Sequence, residues 1–193
     1  LSDFKISDFY GHVLGRTDGG TLIQNPIDIM KYIVETFLGA KVDPVSYALA
    51  LAEHSEWLFD FTINKVINTK DLLEDMARST KCFVRFNENG QFAFYPIKSY
   101  YLAADWTNAL TIDDAIFYNF NLSDLSEVTT KTDLEYAKDH GLDKYLERTT
   151  TIAETERFGY YGFSDENDNY KKLKSDYISD YTTSVKFLGY YRM

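Results

Sequence analysis

The spacing of apolar residues changes along the first half of this 193-residue chain, and the change restricts the chain to folds that combine helices with strands. Apolar residues first recur at intervals of three or four, at Ile27, Met30, Ile33, Val34 and Phe37. This spacing predicts a helix over 26–38. Later the interval becomes two, in the series Trp57, Phe59, Phe61 and Ile63. That alternation predicts a strand with one buried face.

Two of the three prolines follow a capping residue, and both indicate where a helix begins. Asn25 precedes Pro26, and Asp43 precedes Pro44. Asn and Asp side chains accept hydrogen bonds from the first turn, and proline fits the first helical position. These pairs predict that one helix begins at residue 26 and a second spans 44–54.

Two further helices are predicted from weaker signals. Asn68 followed by Asp71 resembles a capping box and predicts a helix over 69–80. The spacing of Ile178, Tyr181 and Val185 predicts a last helix over 175–189.

Strand signals occur in both halves of the chain. Asn89-Gly90 between alternating apolar runs predicts a β-hairpin over 82–96. Alternation predicts a strand over 128–136, with 148–163 as its candidate partner, and two short strands over 4–6 and 9–13. The fold class expected is therefore α+β, with antiparallel sheet material, three helices in the N-terminal half and one C-terminal helix.

The strong helix and strand pattern ends near residue 98, which makes 98–108 the candidate domain boundary. Residues 1–98 would form a subdomain rich in helices and hairpins. Residues 99–193 would form a strand-rich subdomain with a closing helix. One continuous domain is the alternative.

The charge of the chain argues against two classes of partner. Thirty acidic and twenty basic side chains give a net charge of −10. Such a chain repels nucleic-acid phosphates and anionic lipid, so we expect neither nucleic acid nor membrane as a partner. The chain begins at Leu1, and we expect it to be a piece of a longer polypeptide rather than a processed mature protein.

No residue pattern indicates catalysis, a cofactor or a metal. The single cysteine, Cys82, is in phase with the hairpin strand, which favours a buried structural thiol over a nucleophile paired with a histidine. The three histidines, at positions 12, 54 and 140, lack zinc-protease spacing. Residues 165–176 resemble a calcium loop only at the start, since Tyr170 and Asp176 stand where glycine and glutamate are required. We therefore expect no catalytic, cofactor-binding or metal-ligating residues.

Several sequence motifs occur in the order found in hub-type domains of tailed-bacteriophage tail and baseplate proteins. They are Phe9-Tyr10-Gly11-His12-Val13-Leu14-Gly15-Arg16, Asn25-Pro26-Ile27-Asp28-Ile29, Val42-Asp43-Pro44-Val45-Ser46, the hairpin at Asn89-Gly90, the strand over 128–136 and Tyr177-Ile178-Ser179-Asp180. Together they resemble that family over nearly the whole chain. Two departures are that Asn89-Gly90-Gln91 replaces the usual Asp-Gly-Lys, and that the acidic loop 165–169 has no counterpart.

The resemblance implies a structural assembly domain of a phage tail, located in a hub, tail tip or baseplate, and no enzyme. Its partners would be copies of itself and other tail proteins. It would be located in the virion and be assembled in the cytoplasm of the host bacterium. We expect the strand over 128–136, or the segment 148–161, to lie at a subunit interface, with Tyr136, Tyr160 or Tyr161 as aromatic anchors.

Two other functions remain open from the sequence. Sixteen tyrosines include the neighbours Tyr160 and Tyr161, which a strand would place on opposite faces, so that one ring is exposed. An exposed ring could stack on sugars, which favours a glycan-binding module of a receptor-binding or adhesin protein. A peptidoglycan hydrolase is the third class, and the chain shows no convincing acid and nucleophile for it.

Overall fold

The structure, a computed structural model, describes residues 15–63, 66–98, 101, 124–152 and 160–191. Within these ranges the chain has four helices and three small sheets, which confirms the mixed α+β class. The helices are α1 (Pro26–Phe37), α2 (Pro44–Glu53), α3 (Thr69–Ser79) and α4 (Tyr181–Gly189). The strands are β1 (Thr17–Asp18), β2 (Thr21–Leu22), β3 (Cys82–Phe86), β4 (Phe92–Pro96), β5 (Lys131–Asp139), β6 (Lys144–Ile152) and β7 (Tyr170–Lys174). The strands predicted over 4–6 and 9–13 lie outside the described residues.

The first three helices begin at side-chain caps that were predicted from the sequence. The Asn25 Oδ1 accepts a hydrogen bond from the Ile27 N–H at 2.9 Å, and the Asp43 carboxylate accepts one from the Ser46 N–H at 2.9 Å. Asn68 caps α3 in the same way. Each cap satisfies a first-turn N–H that has no partner inside the helix, which fixes the residue at which the helix begins.

The last helix begins at Tyr181 and not at residue 175 as the apolar spacing predicts. Asp180 caps it, accepting a hydrogen bond from the Thr183 N–H at 2.9 Å. The preceding residues bond to other segments. The Ser175 N–H donates to the Glu135 carbonyl, and Ile178 forms an isolated bridge with Phe59. These pairings, together with hydrogen bonds from the Tyr177 and Ile178 N–H groups to the Ser175 hydroxyl, keep residues 175–178 out of the helix.

The predicted hairpin is formed by β3 and β4, which pair antiparallel from Cys82–Pro96 to Phe86–Phe92. The connection is a five-residue loop, so Asn89-Gly90 does not form a two-residue turn by itself. The Asn87 Oδ1 organises the loop by accepting hydrogen bonds from the N–H groups of Asn89 and Gln91. Gly90 has a φ of 70°, which glycine adopts without strain.

The larger sheet has the strand order β6-β5-β7 and is mixed, so one parallel pair is added to the antiparallel pairing expected from the sequence. β5 pairs antiparallel with β6 and parallel with β7. The strand predicted over 128–136 is observed over 131–139, and its partner begins at residue 144 rather than 148. Because β5 is paired on both sides, it has no free edge to offer a second subunit. Among the described residues, the edges of this sheet are β6 and β7.

The core draws on both halves of the chain. Trp57 and Phe59 are buried, as the alternation predicts, although the segment makes only the single bridge at Phe59 and is not a strand. Ile63, predicted on the same buried face, is half exposed. Buried residues from both sides of residue 98 form one cluster, among them Trp57, Met76, Phe94, Leu134, Ile178 and Leu188. The division at residues 98–108 stays a prediction.

Candidate interaction surface

The structure separates the three tyrosines that were predicted to be interface anchors. Tyr136 is 3% exposed and packs in the core through its position on β5. Tyr160 is 85% exposed and Tyr161 is 40% exposed. Their ring centroids are 5.2 Å apart in an edge-to-face arrangement. Only the Tyr160–Tyr161 pair is thus available to a partner.

The backbone at this pair differs from the strand that was expected. Tyr160 has helical conformation and Tyr161 lies in a turn, so the rings lie side by side instead of on opposite faces. An edge-to-face pair presents a larger aromatic surface than one ring alone. This arrangement suits an anchor for a protein partner or for a sugar.

An acidic loop follows the tyrosine pair directly. The Asp168 carboxylate accepts hydrogen bonds from the N–H groups of Ser164 and Asp165, which lower its pKa. Asp165 accepts two from Asn167, one from the backbone and one from the side chain. The Glu166 carboxylate lies 2.9 Å from the Lys131 Nζ. Hydrogen bonds to the Asp165 and Asp168 carboxylates therefore stabilise the conformation of the loop, while both side chains remain exposed to solvent.

A second surface is a groove of about 640 Å³ between α3, β3, β7 and the end of α4. Its apolar lining includes Ala77, Phe83, Val84, Leu173, Phe187 and Tyr191. Phe83 is 68% exposed at the rim. The sequence analysis did not predict this groove. One signal for it was present: Phe83 is apolar but lies on the opposite face of the strand from Cys82 and Val84, which indicates an exposed apolar side chain.

Three cations, Arg78, Lys81 and Lys174, line this groove together with one carboxylate, Glu74, so positive charge is in excess. The Arg78 guanidinium lies 2.9 Å from an Asp75 oxygen, and the Lys174 Nζ lies 3.5 Å from Glu135. Lys81 differs from both, because among the described residues no ion pair joins it to a carboxylate. Its Nζ donates to the Tyr191 hydroxyl at 2.6 Å and lies 4.3 Å from the centroid of that ring. The uncompensated positive charge of Lys81 is therefore held on the aromatic wall of the groove.

The backbone of Lys81 explains how its side chain reaches that wall. Lys81 follows Thr80, the C-terminal cap of α3, and has a φ of 54°. Glycine is the usual residue in this left-handed position after a helix. The turn directs the chain from α3 into β3 and sends the lysine side chain across to α4.

Cys82 and His54 both make the contacts of structural residues. Burial raises the pKa of the Cys82 thiol to about 12, so the thiol is protonated at neutral pH. The His54 ring is buried, with its Nδ1 2.8 Å from the Ala50 carbonyl and its Nε2 2.7 Å from the Thr80 carbonyl. Because backbone carbonyls occupy both nitrogens, this ring is not presented to Cys82 as a base.

No group of three or more His, Cys, Asp and Glu side chains in the described ranges could hold a metal ion. None of the helices α1 to α4 is long and apolar enough to cross a membrane.

No protein-family model matches this chain, and no curated protein sequence matches it.

Proposed function

We propose that this chain is a structural assembly domain of a bacteriophage tail, located in a hub, tail tip or baseplate, and that it forms part of a larger virion protein. The observation that carries the proposal is the exposed aromatic pair Tyr160–Tyr161, with Tyr160 almost fully in solvent. Large amphipathic rings anchor protein interfaces because they bury much area while losing little conformational entropy. The motifs that resemble hub-type domains, in the same order along the chain, are the reason for proposing a phage tail as the assembly.

Other exposed apolar side chains support an assembly role. Val45 and Leu49 are exposed one turn apart on α2 and therefore share a face of that helix. Phe83 is exposed on β3. Soluble proteins keep contiguous apolar surface small unless a partner covers it.

The proposal extends to the whole chain and to its partners. We take the arrangement of the domain to be three helices in its N-terminal half and one closing helix. The partners are copies of this chain and other tail proteins, and the net charge of −10 disfavours nucleic acid and anionic membrane. The role is structural and not catalytic, and the particle is assembled in the cytoplasm of the host bacterium.

Immunogold labelling tests the location. Antibodies raised against this chain are applied to virions of the phage whose genome encodes it, with pre-immune serum as the control. We expect gold particles at the distal tail. Labelling of the capsid, or labelling of host structures with none on the virion, contradicts the proposal.

The second candidate function is glycan binding, favoured by the exposure and geometry of the same two rings. A glycan array probed with the wild-type chain and with the double variant Tyr160→Ser, Tyr161→Ser tests it. Binding that the double variant loses supports a glycan site. Wild-type signal no higher than background removes this candidate.

A further inference from the structure

We propose that the groove of one copy binds the segment 160–168 of a second copy, a contact that rests on the assembly role proposed above. The groove supplies an apolar wall and positive charge. The segment supplies exposed aromatic rings followed by carboxylates. The two surfaces are therefore complementary in both respects.

The charge argument begins with Lys81. Its ammonium group has no carboxylate partner among the described residues and is held against Tyr191 and Phe187. A non-glycine residue is strained in left-handed conformation, so the position favours glycine unless the side chain contributes elsewhere. A chain of net charge −10 offers a second copy mostly acidic surface, so this groove stands out as a site that attracts an acidic segment of the same chain.

The segment 160–168 has the chemistry that the groove requires. Tyr160 and Tyr161 are exposed and can pack against Phe83 and the apolar floor. Asp165 and Asp168 follow within one short loop, with neither in a salt bridge among the described residues. The hydrogen bonds inside the loop hold it in one shape before binding, which reduces the entropy lost on association.

The two surfaces lie at opposite ends of β7. The segment precedes Tyr170, which pairs with the start of β5, whereas Leu173 and Lys174 line the groove. Neither Tyr160 nor Tyr161 lines the groove of its own chain. A contact between two different surfaces is head-to-tail, and repetition of such a contact closes a ring or extends a filament.

Variants at exposed positions test the contact with little risk to folding. Phe83→Asp alters the groove, and the double variant Tyr160→Ser, Tyr161→Ser alters the segment. Phe37→Asp is the matched control, because Phe37 is 68% exposed like Phe83 but lies outside the groove. Sedimentation equilibrium of the full chain at low and high salt measures association for each, with circular dichroism as a check of folding.

We expect the wild type to associate, more weakly at high salt, and both altered chains to lose about tenfold or more in affinity. Phe37→Asp should associate like the wild type. The decisive sample is an equimolar mixture of the groove variant with the segment variant. It retains one intact groove and one intact segment, so it should form dimers with wild-type affinity and nothing larger.

Three results overturn this contact. In the first, both altered chains associate as the wild type does. In the second, the mixture stays monomeric although each protein is folded. In the third, the wild type remains monomeric up to about 1 mM. None of these bears on the immunogold result, so failure of this contact is distinguishable from failure of the tail assignment.

Discussion

Lys81 combines an unfavourable backbone conformation with favourable side-chain contacts, and two substitutions separate these contributions. Lys81→Ala removes the contacts with Tyr191 and Phe187 but keeps the left-handed strain. Lys81→Gly removes the same contacts and relieves the strain. We expect the glycine variant to be more stable than the alanine variant by about 1 kcal/mol in urea denaturation. An alanine variant of equal or greater stability would show that the backbone is not strained there.

Asp133 is a buried carboxylate whose partners come from both neighbouring strands. Burial alone would raise its pKa, but hydrogen bonds from the Tyr170 and Thr150 hydroxyls, together with the charges of Arg148 and Lys131, lower it below the ordinary value of 3.8. A lowered pKa in the folded state means that ionised Asp133 stabilises the fold at neutral pH. That contribution is lost as the pH falls through the folded-state pKa.

The variant Asp133→Asn tests this dependence. At pH 7 we expect it to cost about 1–3 kcal/mol in the free energy of unfolding, because a buried hydroxyl donor loses its charged acceptor. The difference from the wild type should shrink as the pH is lowered below 3.8. Glu88→Gln, at an exposed loop position, is the control and should change stability by less than about 0.5 kcal/mol. A constant difference at every pH would contradict the linkage.

At the level of elements, the start of α4 depends on the Asp180 carboxylate, of which only one oxygen accepts a hydrogen bond among the described residues. The Asp180 Oδ1 caps the helix, while its Oδ2 is buried without a hydrogen-bond partner among the described residues. Asp180→Ala removes the cap and should destabilise the protein by about 1 kcal/mol. Asp180→Ser keeps a capping oxygen and removes the unsatisfied one, so it should match or exceed the wild type in thermal denaturation. A serine variant as unstable as the alanine variant would show that the cap contributes little.

At the scale of the whole molecule, Trp57 joins elements distant in sequence. Its ring contacts His54 at the end of α2 and Tyr190 at the end of α4. It is 2% exposed, so Trp57→Ala should cost about 3–5 kcal/mol. Because the core is shared across residue 98, we expect one cooperative urea transition followed by far-ultraviolet circular dichroism. Two resolved transitions would instead support separate subdomains.

Local signals predicted the starts of α1, α2 and α3 because a cap and its helix are neighbours in sequence. The hairpin of β3 and β4 was predictable for the same reason. The parallel pairing of β7 with β5 was not, since alternation shows that a segment is a strand but not which strand it joins. Tyr136 is buried in a cluster that also includes Trp57 and Leu188, and the groove places Lys81 beside Tyr191, 110 residues later. Contacts over such separations leave no local pattern.

β7 is an edge strand of the larger sheet, and three of its five residues are lysines. Successive side chains of a strand point to opposite faces of the sheet, so Lys171 and Lys172 place positive charge on both faces at this edge. The β7 strands of two chains therefore repel each other and resist the edge-to-edge backbone pairing that nucleates amyloid fibrils. Any ordered array that the chains form must therefore use contacts other than backbone pairing along β7.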